Sequence, residues 1–453
     1  MLKKSLTLFG TNILNKGLNY LFKVLLMNIL SVTEFGIFSV ILPVQSLILM
    51  LTSYGITPSI SKFVSEYKAK KKNYTKSSFG FAIIGLILFI FLFLVAPFVS
   101  SFFGEGFSNY TYYFRITALV VPFGIVLSIF TGIFLGIKKV RTVSILLIIV
   151  QISTLIFGVW MAFYNFSLVF LALGVGYAVS ILFGIYFYKK YGIGGNFVFS
   201  EFKRIFKFSL PISLTAIGLV FLFNTDILIL GHCFTPEKTG IYGRVMPTAR
   251  LVPAFSIALA AVVLPELSEK MALNESIEEK IKKSFSLTIY MAIPPTLITF
   301  AFSKEILYVL TGETSGFTAL RILSLGMFAY SLYYTSNSIF QGTNRPQTPA
   351  KIIGCTVLIN IVLNLLLIPE YSLLGAAAAT SLSCIFAAGV ALFLLRPKLS
   401  FDLKYLILFI PLFIFEYSVG LHGRATTLLI YGVFGSSDLL LYFYLVRNKI
   451  LKE

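Results

Sequence analysis

Long hydrophobic segments alternate with short polar ones along almost the whole chain of 453 residues. A helix needs about 20 mostly apolar residues to cross the hydrocarbon core of a bilayer. The runs of Ile, Leu, Phe and Val also lack the strict alternation that marks the strands of a β-barrel. The pattern therefore predicts an all-α integral membrane protein with fourteen transmembrane helices, called spans 1 to 14, at 6–30, 36–60, 78–103, 112–136, 143–164, 167–188, 208–232, 241–265, 285–302, 316–341, 352–368, 373–395, 405–421 and 427–446.

The composition narrows the class of protein. Hydrophobic residues make up 57% of the chain and charged residues 12%, against about 25% charged residues in soluble domains. This excludes a soluble enzyme, a disordered protein and a large extracellular domain on one anchor. The phosphate-binding pattern Gly-x-x-x-x-Gly-Lys-Ser/Thr does not occur in the sequence, so direct ATP hydrolysis is not expected. We expect a protein that is not an enzyme, with no catalytic residues and no cofactor.

The positions of the basic residues predict the orientation. The chain holds 37 Lys and Arg against 18 Asp and Glu, a net charge of +19. The basic residues lie at the N-terminus, in every second gap between spans and in the C-terminal tail, whereas the opposite gaps hold only Lys238, Lys304 and Arg424. Short basic loops stay in the cytoplasm. We therefore expect a multi-pass protein of the cell membrane with both termini cytoplasmic, and no nucleic acid partner.

Cysteine and histidine give no sign of a metal site. Cys233, Cys355 and Cys384 are far apart and lie in or beside spans, so neither a disulfide framework nor a metal site is expected. His232 and His422 lie near predicted outer helix ends, where an interfacial role is the simpler interpretation.

The second half of the chain repeats features of the first at a spacing near 205 residues. The matching segments are Gly36-Ile37-Phe38 with Pro43 and Gly240-Ile241-Tyr242 with Pro247, Arg115-Ile116 and Arg321-Ile322, Ile133-Phe134-Leu135-Gly136 and Ile339-Phe340-Gln341-Gly342, and Ser167-Leu168 and Ser372-Leu373. Each unit holds six spans, so both enter the membrane from the same side, which predicts a pseudo-twofold axis along the membrane normal. We expect an N-lobe at 1–190, a C-lobe at 200–396 and two additional helices at 404–453.

Polar residues inside span 1 are the first candidates for a functional site. Asn12, Asn15, Lys16, Asn19 and Lys23 recur at helical spacing on one face. A Lys at a helix centre costs about 2.5–3.5 kcal/mol on insertion scales, so such residues usually face a cavity or a partner. The face predicts the wall of a water-filled cavity. The alternative is a polar seam packed against another helix, with the ammonium of Lys23 extended to the interface.

Spans 7 and 8 carry further charges. Arg244 and Arg250 lie beside Pro247 and Pro253, which free backbone carbonyls and bend the helix. Arg250 is expected near the midplane and Arg244 nearer the outer end, where extension to the interface is an equal alternative. Asp226 in span 7 is expected at a depth similar to that of Arg244. This predicts a structural ion pair between them, and the alternative is a proton or ion site at Asp226.

The remaining candidates lie in spans 4 and 10. Arg115 and Arg321 occupy equivalent positions of the repeat near outer ends, where extension to the interface is again the default. Tyr and amide side chains on one stripe of span 10 are suited to bind sugar, although packing is the simpler interpretation. The candidate ligands of an anionic head group are Lys16, Lys23, Arg115, Arg244, Arg250 and Arg321, and the candidate sugar contacts are Asn12, Asn19, Tyr330, Tyr334 and Asn337. A cleft lined by several of these cations would favour an anion such as phosphate or pyrophosphate.

Two short stretches carry a resemblance to a known family. The stretch Asn224-Thr225-Asp226-Ile227-Leu228-Ile229-Leu230-Gly231, followed by Gly240-Ile241-Tyr242, resembles spans 7 and 8 of polysaccharide flippases, and Leu30-Ser31-Val32-Thr33-Glu34-Phe35-Gly36 resembles their first outer turn. These flippases belong to the multidrug/oligosaccharidyl-lipid/polysaccharide exporter superfamily. The resemblance covers all fourteen spans in topology, although its motifs are short.

The resemblance implies a fold and a function. It implies two six-helix lobes in a V shape that flip a polyprenyl-linked saccharide outward. The expected partners are this lipid-linked saccharide, the lipid bilayer and a coupling ion, H+ or Na+. The likeness to lipid II flippases implies that Lys16, Lys23 and Arg250 contact the phosphates. The chain departs from that pattern in span 2, which has no Lys or Arg before Lys62.

Three alternatives remain open at the level of sequence. A cation-coupled exporter of small molecules from the same superfamily would need an acid-lined cavity and an essential Asp226, but span 1 lacks the acidic residue found in many such exporters. A membrane scaffold subunit would have a closed core. A major-facilitator transporter would carry a Gly-Asp-Arg signature after span 2, where this chain reads Glu66-Tyr67-Lys68-Ala69-Lys70-Lys71-Lys72. The sequence assigns no role to Glu416 and Asp438.

Overall fold

Helices account for every element in the part of the chain that the computed structural model describes, namely residues 2–66, 71–103, 110–254, 276–343, 345 and 347–395, with single positions at 256, 257, 263, 267, 271 and 273. The helices are α1 (Leu2–Ile29), α2 (Val32–Glu66), α3 (Lys71–Ser77), α4 (Gly80–Phe102), α5 (Thr111–Ala118), α6 (Val120–Gly136), α7 (Val140–Tyr164), α8 (Phe166–Val169), α9 (Ala172–Lys190), α10 (Phe199–Cys233), α11 (Pro236–Ala249), α12 (Glu278–Ala301), α13 (Ser303–Thr311), α14 (Phe317–Gly342) and α15 (Gln347–Leu395).

Eleven of the twelve spans predicted before residue 396 lie on described helices, and span 6 is divided between α8 and α9. Span 8, predicted at 241–265, coincides with a described helix only over its first part, on α11. Span 4 is divided at Leu119 into α5 and α6. Spans 11 and 12 correspond to the two helical parts of α15, which meet at the non-helical residue Ser372, where φ is 52° and ψ is −124°. The two spans predicted after residue 404, with Glu416 and Asp438, lie outside the described residues.

Length and hydropathy identify membrane-crossing helices directly. Within the described residues, six helical segments are long and apolar enough to cross a bilayer, at Asn73–Phe102, Thr111–Gly136, Val140–Tyr164, Ala172–Lys190, Glu278–Ala301 and Gln347–Leu395. The total of fourteen crossings stays a prediction. The described part of span 8 is α11, which has 14 residues and is therefore too short to meet the same measure.

Helix α4 is apolar along its length and presents large side chains outward. Its outward face carries Ile83, Leu94 and Phe98, whose exposed fractions are 61%, 66% and 77%. Its inward face is built from small residues, including Gly85 and Ala96. A continuous exposed apolar face marks a membrane or partner surface, and small residues let helices approach closely within lipid.

The two halves of the chain meet in a reciprocal contact. A Cβ atom on Gly36 would overlap the carbonyl oxygen of Pro236, and a Cβ atom on Gly240 would overlap that of Val32. Both pairs of equivalent residues, Gly36 with Gly240 and Val32 with Pro236, are 204 positions apart (240 − 36 and 236 − 32). The contact is therefore symmetric at the spacing of the sequence repeat, and only glycine allows the backbones to approach this closely.

This contact belongs to the end of the bundle that the charge pattern predicts to face outward. We call it the predicted outer end, defined by residues 30–36, 102–103, 232–240 and 310–316. Two further contacts join the halves there. Asn28 Nδ2 donates a hydrogen bond to the carbonyl oxygen of Leu310 at 2.7 Å, and the ring of His232 stacks on that of Phe102 at 4.5 Å.

Helices α2 and α10 form a continuous seam between the halves. Near the predicted outer end, Gly231 packs against Val40. Farther along the seam, Gly55 packs against Ser213, and at the opposite end the ammonium of Lys62 lies 4.1 Å from the centroid of the Phe208 ring. This side of the interface is therefore closed along its length.

Candidate functional site

Lys23 and Arg250 approach each other from opposite halves of the chain. Lys23 lies in the last two turns of α1, and Arg250 follows the last residue of α11. Their charges are close enough to repel each other. Two cations in one part of a membrane protein are unfavourable unless an anion or acid compensates them. Among the predicted cations in the described residues, these are the two whose charges act on each other.

Helix α10 fixes the orientation of the Arg250 side chain. Its Nη2 donates a hydrogen bond to the carbonyl oxygen of Phe223, and its guanidinium carbon lies 5.7 Å from the centroid of the Phe223 ring. Its Nε is buried and has no hydrogen-bond partner among the described residues. An unpaired buried donor costs about 1–3 kcal/mol. Arg250 is thus held by Nη2, while its buried Nε has no partner among the described residues.

The polar face of α1 extends away from Lys23. Lys16 and Asn19 are exposed, and Asn15 is half-buried with an unpaired Oδ1. A seam packed against a neighbouring helix would bury Lys16 and Asn19, so their exposure does not fit the packed seam. The side chain of Asn12 lies outside the described residues.

The aromatic stripe on α14 adjoins Arg250 through Phe223. The ring of Tyr330 meets that of Phe223 edge-on at 5.0 Å and lies 5.9 Å from that of Tyr334. Asn337 continues the stripe and accepts a hydrogen bond from Gln341 Nε2 at 2.9 Å. Tyr330, Tyr334 and Asn337 all remain partly exposed. An aromatic and amide surface therefore begins beside the cation pair.

Asp226 is fully buried and binds hydroxyl groups. Its Oδ2 accepts hydrogen bonds from Tyr242 Oη at 2.8 Å and from Thr380 Oγ1 at 3.1 Å, and its Oδ1 accepts one from its neighbour Ile227 N at 2.8 Å. The charge of Arg250 acts on this carboxylate, although no ion pair within 4.0 Å joins the two in the described part of the chain. The carboxylate is therefore solvated by donors from three helices, α10, α11 and α15.

The predicted ion pair of Asp226 with Arg244 is wrong. The Nη1 of Arg244 lies 3.4 Å from Oε2 of Glu313, and its Nη2 donates a hydrogen bond to the carbonyl oxygen of Leu30 at 3.0 Å. Residues at one depth need not share an azimuth around their helices, and the buried Arg244 side chain points toward α1 and the turn after α13. It ties the halves together at the predicted outer end.

Arg115 and Arg321 also make contacts of their own. Arg115 lies with its guanidinium carbon 4.9 Å from the Phe93 ring centroid within the N-terminal half. Arg321 Nε donates hydrogen bonds to the carbonyl oxygen of Phe300 at 3.1 Å and to Ser303 Oγ at 3.0 Å. Neither arginine joins Lys23 and Arg250, so we leave both out of the site proposed below.

A buried polar network continues from Thr380 along α15. Asn360 Nδ2 donates a hydrogen bond to Ser383 Oγ at 3.2 Å, and Asn364 Nδ2 donates one to Asn360 Oδ1 at 3.0 Å. Both asparagines are fully buried, and Asn364 Oδ1 has no hydrogen-bond partner among the described residues. Sequence reasoning missed Tyr242, Thr380 and this asparagine pair. The only signal was the spacing of Asn360 and Asn364, four residues apart on one helical face.

The chain matches known proteins over most of its length. Residues 1–271 match the family described as Polysaccharide biosynthesis protein, and residues 211–366 match the MatE family. An uncharacterized membrane protein of Methanocaldococcus jannaschii is 26% identical and is covered over 98% of its length by 87% of this chain. The probable low-salt glycan biosynthesis flippase Agl15 of Haloferax volcanii is 24% identical, with 84% of this chain and 80% of that protein covered. The lipid II flippase MurJ of Bacillus subtilis is 22% identical, with 80% and 76% covered.

Solved structures show the same fold. A lipid II flippase MurJ in an inward closed conformation superimposes with a TM-score of 0.80 at 18% identity, covering 98% of this chain and 99% of that one. An inward-facing multidrug resistance transporter of the MATE family superimposes with a TM-score of 0.69 at 14% identity, covering 84% and 94%. The resemblance predicted from the sequence is confirmed, and the chain belongs to the polysaccharide biosynthesis protein family of membrane flippases and transporters in the multidrug/oligosaccharidyl-lipid/polysaccharide exporter superfamily.

Proposed function

We propose that the protein flips a polyprenyl phosphate- or pyrophosphate-linked saccharide from the cytoplasmic to the outer leaflet by alternating access. The observation that carries this proposal is the convergence of Lys23 and Arg250 from opposite halves, with a buried unpaired nitrogen on Arg250. Phosphate oxygens supply the charge and the hydrogen-bond acceptors that this pair lacks. The relatives named as flippases support the same class of cargo.

The amphipathic cargo is divided between two environments. The head group enters the cleft between the halves, while the polyprenyl chain stays in lipid because each CH₂ moved into water costs about 0.8 kcal/mol. The exposed Lys16 and Asn19 extend the polar wall of α1 from the cation pair toward the predicted inner end. An inside-negative membrane potential favours outward movement of an anion by about 2.3 kcal/mol per charge per 100 mV.

The sugar lies against the α14 stripe. Tyr334 and Asn337 follow Tyr330 toward the predicted inner end at helical spacing, and all three are partly exposed. A tyrosine ring supplies an apolar face with a polar tip, and an amide supplies both a donor and an acceptor. Asn19, on the facing α1, completes the proposed sugar contacts.

Alternating access requires the contacts at the predicted outer end to break. These are the glycine contact of Gly36 and Gly240, the hydrogen bond of Arg244 to Leu30, and the hydrogen bond of Asn28 to Leu310. We infer that the lobes at 1–190 and 200–396 rock against each other about an axis in the membrane plane, with the α2–α10 seam as the closed side. The proposal retains fourteen spans, with both termini in the cytoplasm and with spans 13 and 14 as the two additional helices at 404–453.

A coupling cation is part of the proposal. The Asp226 carboxylate, the Thr380 hydroxyl and the unpaired Asn364 Oδ1 provide buried oxygen atoms in the C-terminal half. Oxygen ligands suit H+ as well as a hard monovalent cation such as Na+. The same buried acid favours the second candidate function, cation-coupled export of small molecules, for which Asp226 would be essential and Lys23 dispensable.

The test is head-group protection in liposomes. The full chain is reconstituted, and an external enzyme reports how fast a polyprenyl-pyrophosphate sugar becomes accessible. Replacing Lys16, Lys23 and Arg250 together with glutamine is expected to slow flipping by about 30-fold or more, since removing one partner of a buried charge pair costs about 2–5 kcal/mol. The matched control is the exposed Lys351→Gln, which should flip at the normal rate.

Three other outcomes separate the alternatives. Normal flipping by a folded triple variant would reject the cationic site. The exporter would be established if the wild type exports a small cationic drug but flips no lipid, and if Asp226→Asn abolishes the drug efflux. Neither activity in folded protein would favour a scaffold subunit.

A further inference from the structure

The first turns of α10 carry large apolar and basic side chains on one exposed face. Because α10 ends at Cys233 in the predicted outer end, its first turns lie at the opposite, predicted inner end. Phe199, Lys203, Phe206 and Leu210 recur there at helical spacing, and all four are exposed. Apolar and basic residues on one face are typical of a helix that lies at a membrane interface.

The other face of the same turns is fixed against the N-terminal half. The ring of Phe202 meets that of Phe81 edge-on at 5.2 Å, and Ile205 is fully buried. Just before the helix, the hydroxyl of Ser77 donates a hydrogen bond to the carbonyl oxygen of Val198 at 3.0 Å and accepts one from its amide nitrogen at 2.9 Å. These contacts hold the start of α10 beside the start of α4, so that its remaining face points away from the protein.

That exposed face continues onto α4 as an apolar surface. Phe206 joins the two helices, since its ring lies 6.3 Å from that of Phe81 while part of it stays exposed. Ile84, Leu88 and Phe91 follow Phe81 along α4 at helical spacing, and each of these three is partly or largely exposed. We call these three residues the α4 stripe. It runs from the basic residues of α10 toward the middle of the bilayer.

The charge of this region is almost wholly positive. The segments 71–103 and 186–210 together contain eight Lys and Arg but one acid, Glu201. Glu201 is buried and interacts with the hydroxyl of Tyr74, to which Arg204 Nη1 also donates a hydrogen bond at 3.4 Å. The acid is therefore turned into the protein and does not neutralise the basic residues on the exposed face.

We propose that this surface binds an anionic phospholipid of the inner leaflet, with its phosphate held by Lys203 and Lys207 and its acyl chains against the α4 stripe. Both lysines are exposed and lie four residues apart on one side of the helix. Basic residues beside a membrane attract anionic head groups. A soluble phosphate would leave the exposed rings of Phe199 and Phe206 in water, whereas a lipid covers them.

This lipid site is separate from the proposed cargo site. Lys23 lies on α1 and Arg250 follows α11, whereas Lys203 and Lys207 lie on a face of α10 whose other side packs against α2 and α4. The inference therefore does not depend on whether the protein flips lipid.

The experiment uses tryptophan fluorescence as a local reporter of lipid contact. Trp160 is the single tryptophan of the chain and is exposed near the predicted outer end of α7. Phe199→Trp in a Trp160→Phe background places a reporter beside Lys203 instead. The full chain is reconstituted in nanodiscs of phosphatidylglycerol and phosphatidylcholine. Brominating one lipid at a time then measures, from the quenching, which lipid contacts the reporter.

The account predicts a preference at one reporter only. Phosphatidylglycerol should be enriched over its bulk ratio at Phe199→Trp but not at Trp160 of the wild type. Adding Lys203→Gln and Lys207→Gln should lower the preference by about fivefold for each lysine removed. The matched control is Lys351→Gln, an exposed lysine at the predicted inner end of the C-terminal half, which should keep the full preference.

Thermal unfolding gives a second readout. A ligand that binds only the folded protein raises its thermal midpoint by mass action. Phosphatidylglycerol should therefore raise the midpoint of the wild type more than phosphatidylcholine does. The variant that lacks both lysines should fold in phosphatidylcholine like the wild type but lose the additional stabilisation, because both side chains are exposed.

Three results would overturn the proposal. The first is equal quenching by the two lipids at Phe199→Trp in folded protein, or a preference that survives removal of both lysines. The second is loss of the preference when Lys23 and Arg250 are replaced by glutamine, which would assign the effect to the cleft. The third is displacement of the lipid by inorganic phosphate, which would identify a site for soluble anions. Since none of these measurements requires transport, failure of the proposed flipping would leave the lipid site standing.

Discussion

The two halves of the molecule differ most at positions that the repeat makes equivalent. Phe22 and Phe38 in the N-terminal half correspond to Asp226 and Tyr242, at the same offset of 204 (226 − 22 and 242 − 38) that relates Gly36 to Gly240. All four side chains are buried. The N-terminal half fills this place with hydrocarbon, whereas the C-terminal half places a carboxylate and a phenol there, joined by a hydrogen bond of 2.8 Å.

The repeat supplies a common frame, and at this place only the C-terminal half carries a buried carboxylate. The ring of Phe38 lies 6.0 Å from that of Phe170, and Phe22 fills the space that Gly158 leaves open. A buried carboxylate is generally less stabilising than well-packed apolar residues of similar volume. Charged groups retained inside membrane proteins usually have a functional role, and this supports the proposal that Asp226 has one.

The largest expected effect comes from breaking the contact that the halves share. Gly36→Ala or Gly240→Ala would press a Cβ atom into the backbone of the opposite half. We expect about 2–4 kcal/mol of destabilisation of the state closed at the predicted outer end, as for severe overpacking. Accessibility of cysteines introduced at that end to a membrane-impermeant reagent measures the opening.

Gly354→Ala is the matched control for that prediction. Gly354 also lies within a helix, but a Cβ atom there meets nothing within 4 Å. The substitution should leave accessibility unchanged and stabilise the helix by about 0.5–1 kcal/mol. Equal accessibility in the Gly36 and Gly354 variants would contradict the account of the interface.

A smaller effect is expected from making the halves more alike. Tyr242→Phe gives the C-terminal half the residue found at position 38 and removes a hydrogen bond to a buried carboxylate. Such bonds contribute about 1.5–3 kcal/mol, so the thermal midpoint in detergent should fall. A saturating concentration of the coupling cation should raise the thermal midpoint of Tyr242→Phe by less than it raises that of the wild type. An unchanged midpoint would show that the hydroxyl does not support Asp226.

The smallest effects on stability are expected at Arg115 and Arg321, the two arginines at equivalent positions of the repeat. Arg321→Gln loses two hydrogen bonds at the junction of α12 and α13, whereas Arg115→Gln loses a contact with the Phe93 ring. We expect destabilisation of about 1–3 kcal/mol for the former and about 0.5–1 kcal/mol for the latter. Both variants should flip lipid normally once folded. Loss of flipping in folded protein would return these residues to the site.

Hydropathy predicted the described helices well because it depends on residues close together in sequence. The span at 143–164 corresponds to α7 at Val140–Tyr164, and the repeat was visible in short echoes of the same kind. The pattern also predicted a similar depth for Arg244 and Asp226. It did not give their azimuth around the helix, so the pairing of those two was wrong.

The partners of Asp226 show why the site was only partly predictable. Tyr242 lies on the next helix, and Thr380 lies 154 residues away. Which distant hydroxyl reaches a buried carboxylate depends on how the helices pack, and a single sequence carries no record of that packing. Lys23 and Arg250 were identified because charged residues inside spans are rare enough to stand out individually.

The most direct test of the central claim is a cryo-electron microscopy structure of the full chain with a short-chain polyprenyl-pyrophosphate sugar. The account predicts phosphate density within hydrogen-bonding distance of Lys23 Nζ and the Arg250 guanidinium, with the sugar against Tyr334. Phosphate density beside Arg115 or Arg321, with Lys23 and Arg250 unoccupied, would contradict it.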